Sequence, residues 1–570
     1  MKKPMIKAVV LTAAAACLIS SCGKTGISDK KSSGEQESTA LESALPQETE
    51  NTASTDTASE SAESSIDNAV STDSSSTDDI TIVGSRVTSN YDNLYMDSSA
   101  GIDTKLLAEG HYPSIALGTY DKGTFTEYKD TYKELSDALN EYNQSRYDLY
   151  KKNMDLCKEY AADDERFNDE SGDFYGYYYT VDMDSSIQRS DSAVFSISEM
   201  TSTYMGGAHP FTAYTGYNID SQTGKQLKIS DIVTDKDAFI ETVNEKLHEA
   251  YPDIDSGSIV EDIKQTVSDM YDGKDDINLQ FYMDHDALEI MFSQYDLTCY
   301  AAGPEFISLY YKDCADLLNP AYTKTTRDFA SNVDFSRPLT ISSGDTSKTL
   351  VVSYEPASAE QYGSDCYELT IALDGREFKD IIEYTYNISA FVLSKDNKSY
   401  LYVDCTSDND WEFTQVYDLN GDTAAKVDDF NDIAFYSSAP VDPSDFIMST
   451  RGGVLSTYML SCHYDLGNDG SPKRKTEYWW INSDSELTLN APVTLSVMDS
   501  LTEDGSDNGT NTEILSGTVL KPVRTDNKSW VDALTPDGKY ARIVVDTSDW
   551  PQKVNGTSIE ELFDGIVFAG

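Results

Sequence analysis

Between Gly23 and Asp79 the chain is built almost wholly from Ser, Thr, Glu, Asp and Ala, with almost no large apolar residue. Such a segment cannot bury enough surface to offset the entropy of ordering it, so it is expected to be disordered. Runs such as Ser61–Ser65 and Ser71–Ser76 carry neither helical nor strand periodicity. A flexible chain of this length averages about 40 Å end to end, and like charges extend it further. Everything that folds must therefore lie beyond residue 79. On a norm of about 150 residues per domain, that remainder has room for about two to four domains.

The start of the chain explains what the tract is for. Lys2, Lys3 and Lys7 precede an apolar run from Ala8 to Ile19, and Ser20 and Ser21 stand directly before Cys22. Positive charge, a short apolar stretch and small residues make a secretion signal over residues 1–21, too short to span a bilayer comfortably. Leu18-Ile19-Ser20-Ser21-Cys22 resembles the lipobox of bacterial lipoproteins. That resemblance implies cleavage before Cys22 and attachment of lipid (palmitate-type acyl chains) to its thiol. Two acyl chains anchor far better than one, at about 0.8 kcal/mol per buried methylene. The alternative is ordinary signal cleavage with Cys22 incidental. On the first reading, residues 22–79 are a lipidated tether that holds the folded part away from the outer face of the cell membrane.

The formal net charge of −56 argues against nucleic acid, whose phosphates reward Lys and Arg clusters. Acidity of this size favours cationic partners, or simply keeps an exported chain soluble. Cys157, Cys299, Cys314, Cys366, Cys405 and Cys462 form no C-x-x-C pair, so neither a zinc site nor a thioredoxin-like centre is signalled. No cofactor is called for. The 38 tyrosines suit half-buried strands and recognition surfaces alike.

The first folded region, about 88–325, mixes both element types. Phe125, Tyr128, Tyr132, Leu135, Leu139 and Tyr142 recur at helical spacing, and the helix is expected to continue through Tyr150 and Met154. Strands are expected at 174–181, 193–197, 214–219, 226–229, 280–283, 288–292 and 306–310, with helices from Ser230, from Asp237 and over 259–270. This is α+β architecture.

Two segments carry a family resemblance. The first is Tyr204-Met-Gly-Gly-Ala-His-Pro210, followed by the hairpin 217–225. The second is Phe281-Tyr-Met283, Leu288–Phe292 and then Tyr295-Asp-Leu-Thr-Cys-Tyr-Ala-Ala-Gly-Pro304. Together they resemble the ectodomain of the lysozyme-sensing anti-sigma factor RsiV and the non-catalytic domain of the peptidoglycan deacetylase PdaC. The resemblance implies an RsiV/PdaC-like domain over 201–325, preceded by a companion α+β domain over 88–200, and binding of lysozyme or a wall component. Only seven residues precede the apolar run, so no sigma-factor-binding domain is expected. Neither a Thr-Phe-Asp-Asp-Gly segment nor a His-x-x-x-His pair of the deacetylase is found. The candidate binding residues are Tyr204, Gly206, Gly207, His209, Pro210, Tyr295, Tyr300, Gly303 and Pro304. Gly206 and Gly207 permit backbone conformations closed to other residues, and Pro210 fixes the exit. His209 either meets a ligand or a proton, or braces its loop through the backbone. Gly303-Pro304 reads as a fixed turn, with Tyr295 and Tyr300 packing beside it.

Beyond residue 336 the pattern is all β, with a β-rich domain over 336–485. Asp418–Asp422 and Asp465–Gly470 offer oxygen ligands for calcium but lack the full loop ending in Glu, which favours hairpin turns. Residues 487–570 hold five short strands, a long early loop and Trp530 after a turn, and resemble a bacterial SH3-like barrel. Trp530 lines a groove or caps the core. No nucleophile elbow, Cys–His arrangement or phosphate loop appears. The sequence thus reads as a lipid-anchored cell-surface binding protein. The alternatives are a glycan-modifying enzyme of the cell wall and a structural surface subunit.

Overall fold

The computed structural model describes residues 80–568 apart from 96–105, 122–123, 165–177, 336, 344–345, 408–410, 436–438 and 483–484. The expected signal peptide, Cys22, the tether and the first half of the 174–181 strand lie outside the described residues. The described chain is mostly β, with helices concentrated in its first half.

The first sheet comprises β1 (Ser85–Tyr91), β2 (Leu94–Tyr95), β3 (Leu106–Asp121), β4 (Thr124–Glu127), β5 (Tyr179–Ser190), β6 (Val194–Tyr204) and β7 (Phe211–Asp220). Its main order is β1-β3-β5-β6-β7, with β3 and β5 parallel and the other neighbours antiparallel. Tyr179, Val181 and Met183 are buried and alternate with polar Thr180, Asp182 and Asp184, the two-residue period of a strand with one covered face. The cover is helix α1 (Lys133–Asp163), which buries Leu135, Leu139, Tyr142, Tyr150, Met154 and Cys157. The helix starts later than the aromatic spacing predicts. Phe125 belongs to β4, where Thr124 and Thr126 supply β-branched residues, and Tyr132 at φ 54° turns the chain into the helix.

Against β7 lies a second layer of helices α2 (Lys236–Ala250) and α3 (Ile263–Tyr271) and strands β8 (Gln280–Met283), β9 (Ala287–Phe292) and β10 (Glu305–Tyr310). Asp235 and Asp262 cap the two helices by accepting from Ala238 N at 3.1 Å and Gln265 N at 3.0 Å. The cap at Asp262 is why α3 begins at Ile263 and not at Ile259. Phe239, Val243, Leu247 and Val267 pack on Phe281, Leu288, Ile290 and Phe292 in one apolar core. Residues 226–229, expected to resume a strand, form only a single bridge at Gln226 before a helical turn at Ile229–Ile232.

The next region is a β-sandwich. One sheet is β12 (Leu339–Ser343), β13 (Thr346–Pro356), β14 (Tyr367–Leu373) and β15 (Arg376–Ile382). The other is β11 (Phe329–Asn332), β16 (Asn387–Lys395), β17 (Lys398–Thr406), β18 (Glu412–Asp418) and β19 (Ala425–Asn431). Inward residues Ile341, Val352, Ile371, Val392, Leu401 and Val403 share the core between them. Asp418–Asp422 turns β18 into β19, and Asp465–Gly470 joins two further strands, β22 (Tyr458–Leu466) and β23 (Pro472–Arg474), once β20 (Ala434–Phe435) and β21 (Phe446–Gly452) have passed.

The C-terminal strands are β24 (Trp479–Ile481), β25 (Leu487–Leu489), β26 (Val493–Met498), β27 (Thr510–Ile514), β28 (Val519–Thr525), β29 (Trp530–Leu534) and β30 (Tyr540–Val544). Their ladder runs β24-β28-β29-β30-β26-β27, while β25 bridges β28 and the strand Phe563–Asp564. The pairs Leu460↔Ile481 and Ser461↔Trp480, between β22 and β24, join this ladder to the strands before it.

Asp404 on β17 is buried within the sandwich sheet, and burial pushes its carboxyl up to about 7. Its Oδ2 accepts from Phe435 N at 2.6 Å. Thr414 Oγ1 lies 2.6 Å from Asp404 Oδ1 and 2.8 Å from the Ile433 carbonyl oxygen. A hydroxyl has one proton, so both contacts are satisfied when Asp404 carries its own proton and donates to Thr414. A raised carboxyl contributes stability that is full below its unfolded pKa and lost as pH rises toward the folded one. Asp404→Asn, whose amide donates to Thr414 while its oxygen accepts from Phe435, should fold normally. It should be the more stable form at pH 8, by up to about 4 kcal/mol. Urea unfolding from pH 4 to pH 8 measures this; parallel profiles for the two proteins would refute it.

Candidate functional site

The β6–β7 hairpin ends in a turn formed by Met205–Pro210. Gly206 and Gly207 take φ 90° and 101°, left-handed conformations that glycine adopts without Cβ strain. The β9–β10 connection runs from Ser293 to Pro304, with Tyr295 at φ 73°, a helical turn at Tyr300–Ala302, and Gly303 at φ 84°. These loops are almost ninety residues apart in sequence and neighbours in space. At their bases Tyr214 N donates to Ser293 Oγ at 2.9 Å, and the Tyr214 and Phe306 rings meet edge to face at 5.1 Å. At their tips the His209 imidazole stacks on Tyr300, centroids 3.6 Å apart and planes within 18°. The Tyr295 ring lies 6.1 Å from Tyr300.

The result is one aromatic surface. Gly207, His209 and Pro210 are exposed, and Tyr204, Gly206, Tyr300, Gly303 and Pro304 are half-buried. His209 Nδ1 donates to the Pro210 carbonyl oxygen at 3.0 Å, and Tyr204 Oη to that of Gly207 at 3.3 Å. The imidazole therefore braces its own loop and packs on the facing one. Two exposed rings frame the surface, Phe211 at 54 % and Tyr295 at 46 % exposure. Phe211 is not among the candidates read from sequence, although its place directly after Pro210 at the head of a strand was the available signal. Between Met200 and Ala213 no residue is acidic, Lys or Arg, so the first loop is neutral within a strongly acidic chain.

Two carboxyls lie under the second loop. Glu305 is buried, with Oε1 accepting from Thr298 Oγ1 and Oε2 without a hydrogen-bond partner. Asp296 accepts from Ser293 N at 2.6 Å. Burial raises the pKa of both, and Asp296 raises that of Glu305 further. The one thiol here, Cys299, is exposed and free. Among the described residues no group of three or more His, Cys, Asp and Glu side chains is placed to hold a metal ion.

Trp530 belongs to the C-terminal strands. The Arg542 guanidinium lies 3.8 Å from its ring centroid, and Arg542 and Arg524 both pair with Asp532, which is fully buried. The Tyr478 ring covers Arg524 at 4.7 Å. The half-buried Trp530 ring lies over this buried ion cluster.

Two substitutions separate the tip of the surface from its foundation. A Cβ on Gly207 meets no atom within 4 Å, so Gly207→Val strains only the local turn. A Cβ on Gly216 would stand 1.7 Å from the Phe281 carbonyl oxygen, where β7 crosses β8. Gly216→Val should lower the unfolding free energy by about 3 kcal/mol or more, and Gly207→Val by about 1 kcal/mol. Thermal unfolding of both checks the order; equal losses would mean the two glycines play the same part.

No family model matches the chain, and none of the curated proteins compared with it matches. Two solved structures are similar over 42 % of it. One is a member of the DUF3298 family from Bacteroides fragilis NCTC 9343, at 20 % identity and TM-score 0.30, with 94 % of that chain covered. The other is a DUF3298 family protein from Pseudomonas aeruginosa PAO1, at 9 % identity and TM-score 0.27, with 96 % covered.

Proposed function

We propose that this chain is a lipid-anchored cell-surface binding protein of bacteria and that the paired loops are its recognition surface. The observation that carries the reading is the convergence of Tyr204–Phe211 and Tyr295–Pro304 on one exposed aromatic face. Aromatic rings supply contact area at a small cost in side-chain entropy, which suits recognition. The partners we favour are a lysozyme-like cationic protein first and peptidoglycan second. The motif order of an RsiV/PdaC-type extracellular domain and the net charge of −56 support the first. We also infer an SH3-like module at the C-terminus. It is supported by β25 bridging β28 and Phe563–Asp564, and by the helical turn Ile559–Leu562 just before that last strand.

Charge alone gives promiscuous attraction that fades once screening reaches about 8 Å. Specific binding should persist at physiological ionic strength and depend on the stacked rings. In calorimetry against lysozyme and soluble wall fragments, His209→Ala and Tyr300→Ala should each weaken binding about tenfold or more, roughly 1.4 kcal/mol. Absence of heat with both ligands, or loss of all binding at that salt, defeats the proposal. Release of sugar or peptide from purified wall would instead favour an enzyme.

The anchor has its own test. Cys22→Ser should leave an unprocessed precursor or send the protein to the medium. Mass spectrometry of the membrane-bound mature wild type should find lipid on Cys22, and an unmodified thiol there would overturn the anchor.

A further inference from the structure

The β8–β9 hairpin turns at Asp284-His285-Asp286, and this turn is where the first half of the chain meets the sandwich. Asp284, Asp286 and Glu289 are each no more than 9 % exposed, and the one guanidinium that reaches all three is that of Arg337, with a side chain 10 % exposed. The donors are unequally shared. Asp284 accepts from Arg337 Nη2 at 2.6 Å, Ser331 Oγ at 3.1 Å and His285 N at 2.6 Å. Asp286 accepts from Thr340 N at 2.7 Å and Arg337 Nη1 at 3.4 Å. Glu289 accepts only from Ser308 Oγ, at 2.8 Å; its other oxygen stands 3.5 Å from Arg337 Nε and makes no hydrogen bond.

We propose that this clasp is a proton-dependent lock: it holds the N-terminal half on the sandwich while Glu289 carries a proton, and loosens when that proton leaves. Three buried carboxylates against one cation leave uncompensated negative charge, and the carboxyl with the fewest donors is where a proton relieves it best. The surrounding groups do not take over that role. Arg189, on β5, is paired with Asp191 at 2.6 Å. Burial holds Tyr282, Tyr310 and Tyr311 above their usual range, so they stay neutral. His285, stacked on Phe329 at 3.5 Å, is lowered to about 3 by burial and by Arg189, and is neutral as well. The remaining charged neighbours are Asp334, whose charge bears on Tyr282, and Lys312, whose Nζ donates to Thr340 Oγ1 at 3.2 Å. Burial lifts the Glu289 carboxyl from 4.5 to about 7, in keeping with the donor count.

The sign follows from linkage. With the clasp open, Glu289 titrates as an ordinary carboxyl; with it closed, the proton is held to higher pH. Opening therefore grows between the two values and levels off above the closed-state one. The test is amide exchange at Thr340 in the purified full chain from pH 5 to pH 8, in an Asp404→Asn background that removes a second carboxyl raised to about 7. The protection factor should fall by up to about tenfold per pH unit between pH 5 and pH 7, then level off. In Glu289→Gln, a neutral isostere, it should stay flat and high. Equal slopes in the two proteins, or no slope in the parent, overturn the lock. Ser308→Ala removes the donor that favours the ionised form and should move the levelling-off to higher pH. An unchanged levelling point would overturn it too, even if Glu289→Gln fails to fold.

Discussion

The close crossing of β7 over β8 is the contact on which the rest of the first half depends. It exists because Gly216 has no side chain; one polar bond pins it, and a second ties the neighbouring strand β6 to β8. Asn218 Nδ2 donates to the Phe281 carbonyl oxygen at 2.8 Å, and Met283 N donates to Ser196 Oγ at 2.8 Å. Both Asn218 and Ser196 are buried, so these bonds are expensive to leave unmade. With β7 fixed on β8, the β6–β7 turn and the β9–β10 loop have to leave the two sheets at the same end. The stack of His209 on Tyr300 is then a consequence of sheet geometry and needs no strong bond of its own.

The second organising constraint is charge. Lys and Arg together number 43 against 99 Asp and Glu, so cations are scarce. Four arginines are nevertheless withdrawn from solvent to meet buried aspartates: Arg189, Arg337, Arg524 and Arg542. Buried ion pairs are poor sources of net stability, but losing one partner leaves a stranded charge, a penalty of about 3–5 kcal/mol. They therefore specify register more than they add stability. Arg189 makes the point: beyond Asp191 it donates to the Tyr322 and Lys324 carbonyl oxygens at 2.6 and 2.5 Å, tying the chain leaving the first half back onto β5.

The sequence made local elements legible and hid their meetings. Gln280–Met283 can be read end to end because alternation and flanking turn residues agree. The helix start failed because Phe125, Tyr128 and Tyr132 fit helical spacing by number alone; β-branched threonines and a left-handed Tyr132 override it. The two glycine-bearing loops were each visible as unusual segments, but no periodicity says that they touch. The Arg337 clasp was invisible for a related reason. Its carboxylates sit in a short turn resembling any acidic surface turn, and its cation comes some fifty residues later. Trp530 stayed ambiguous in sequence because its Arg542 partner belongs to the neighbouring strand.

Charge and contact are separated in this molecule. The field of a net −56 reaches far and acts on any cation, whereas the exposed first loop of the candidate surface has no Asp, Glu, Lys or Arg between Met200 and Ala213. Long-range attraction changes how often partners meet; shape and ring contacts change how long they stay. On the proposed reading, the rings would select by contact while the acidic body concentrates cationic candidates around them. On that reading, two loops braced by a shared sheet crossing would have a further physical effect. The ordering cost of the rings would be met when the chain folds, leaving little of it to oppose a binding event.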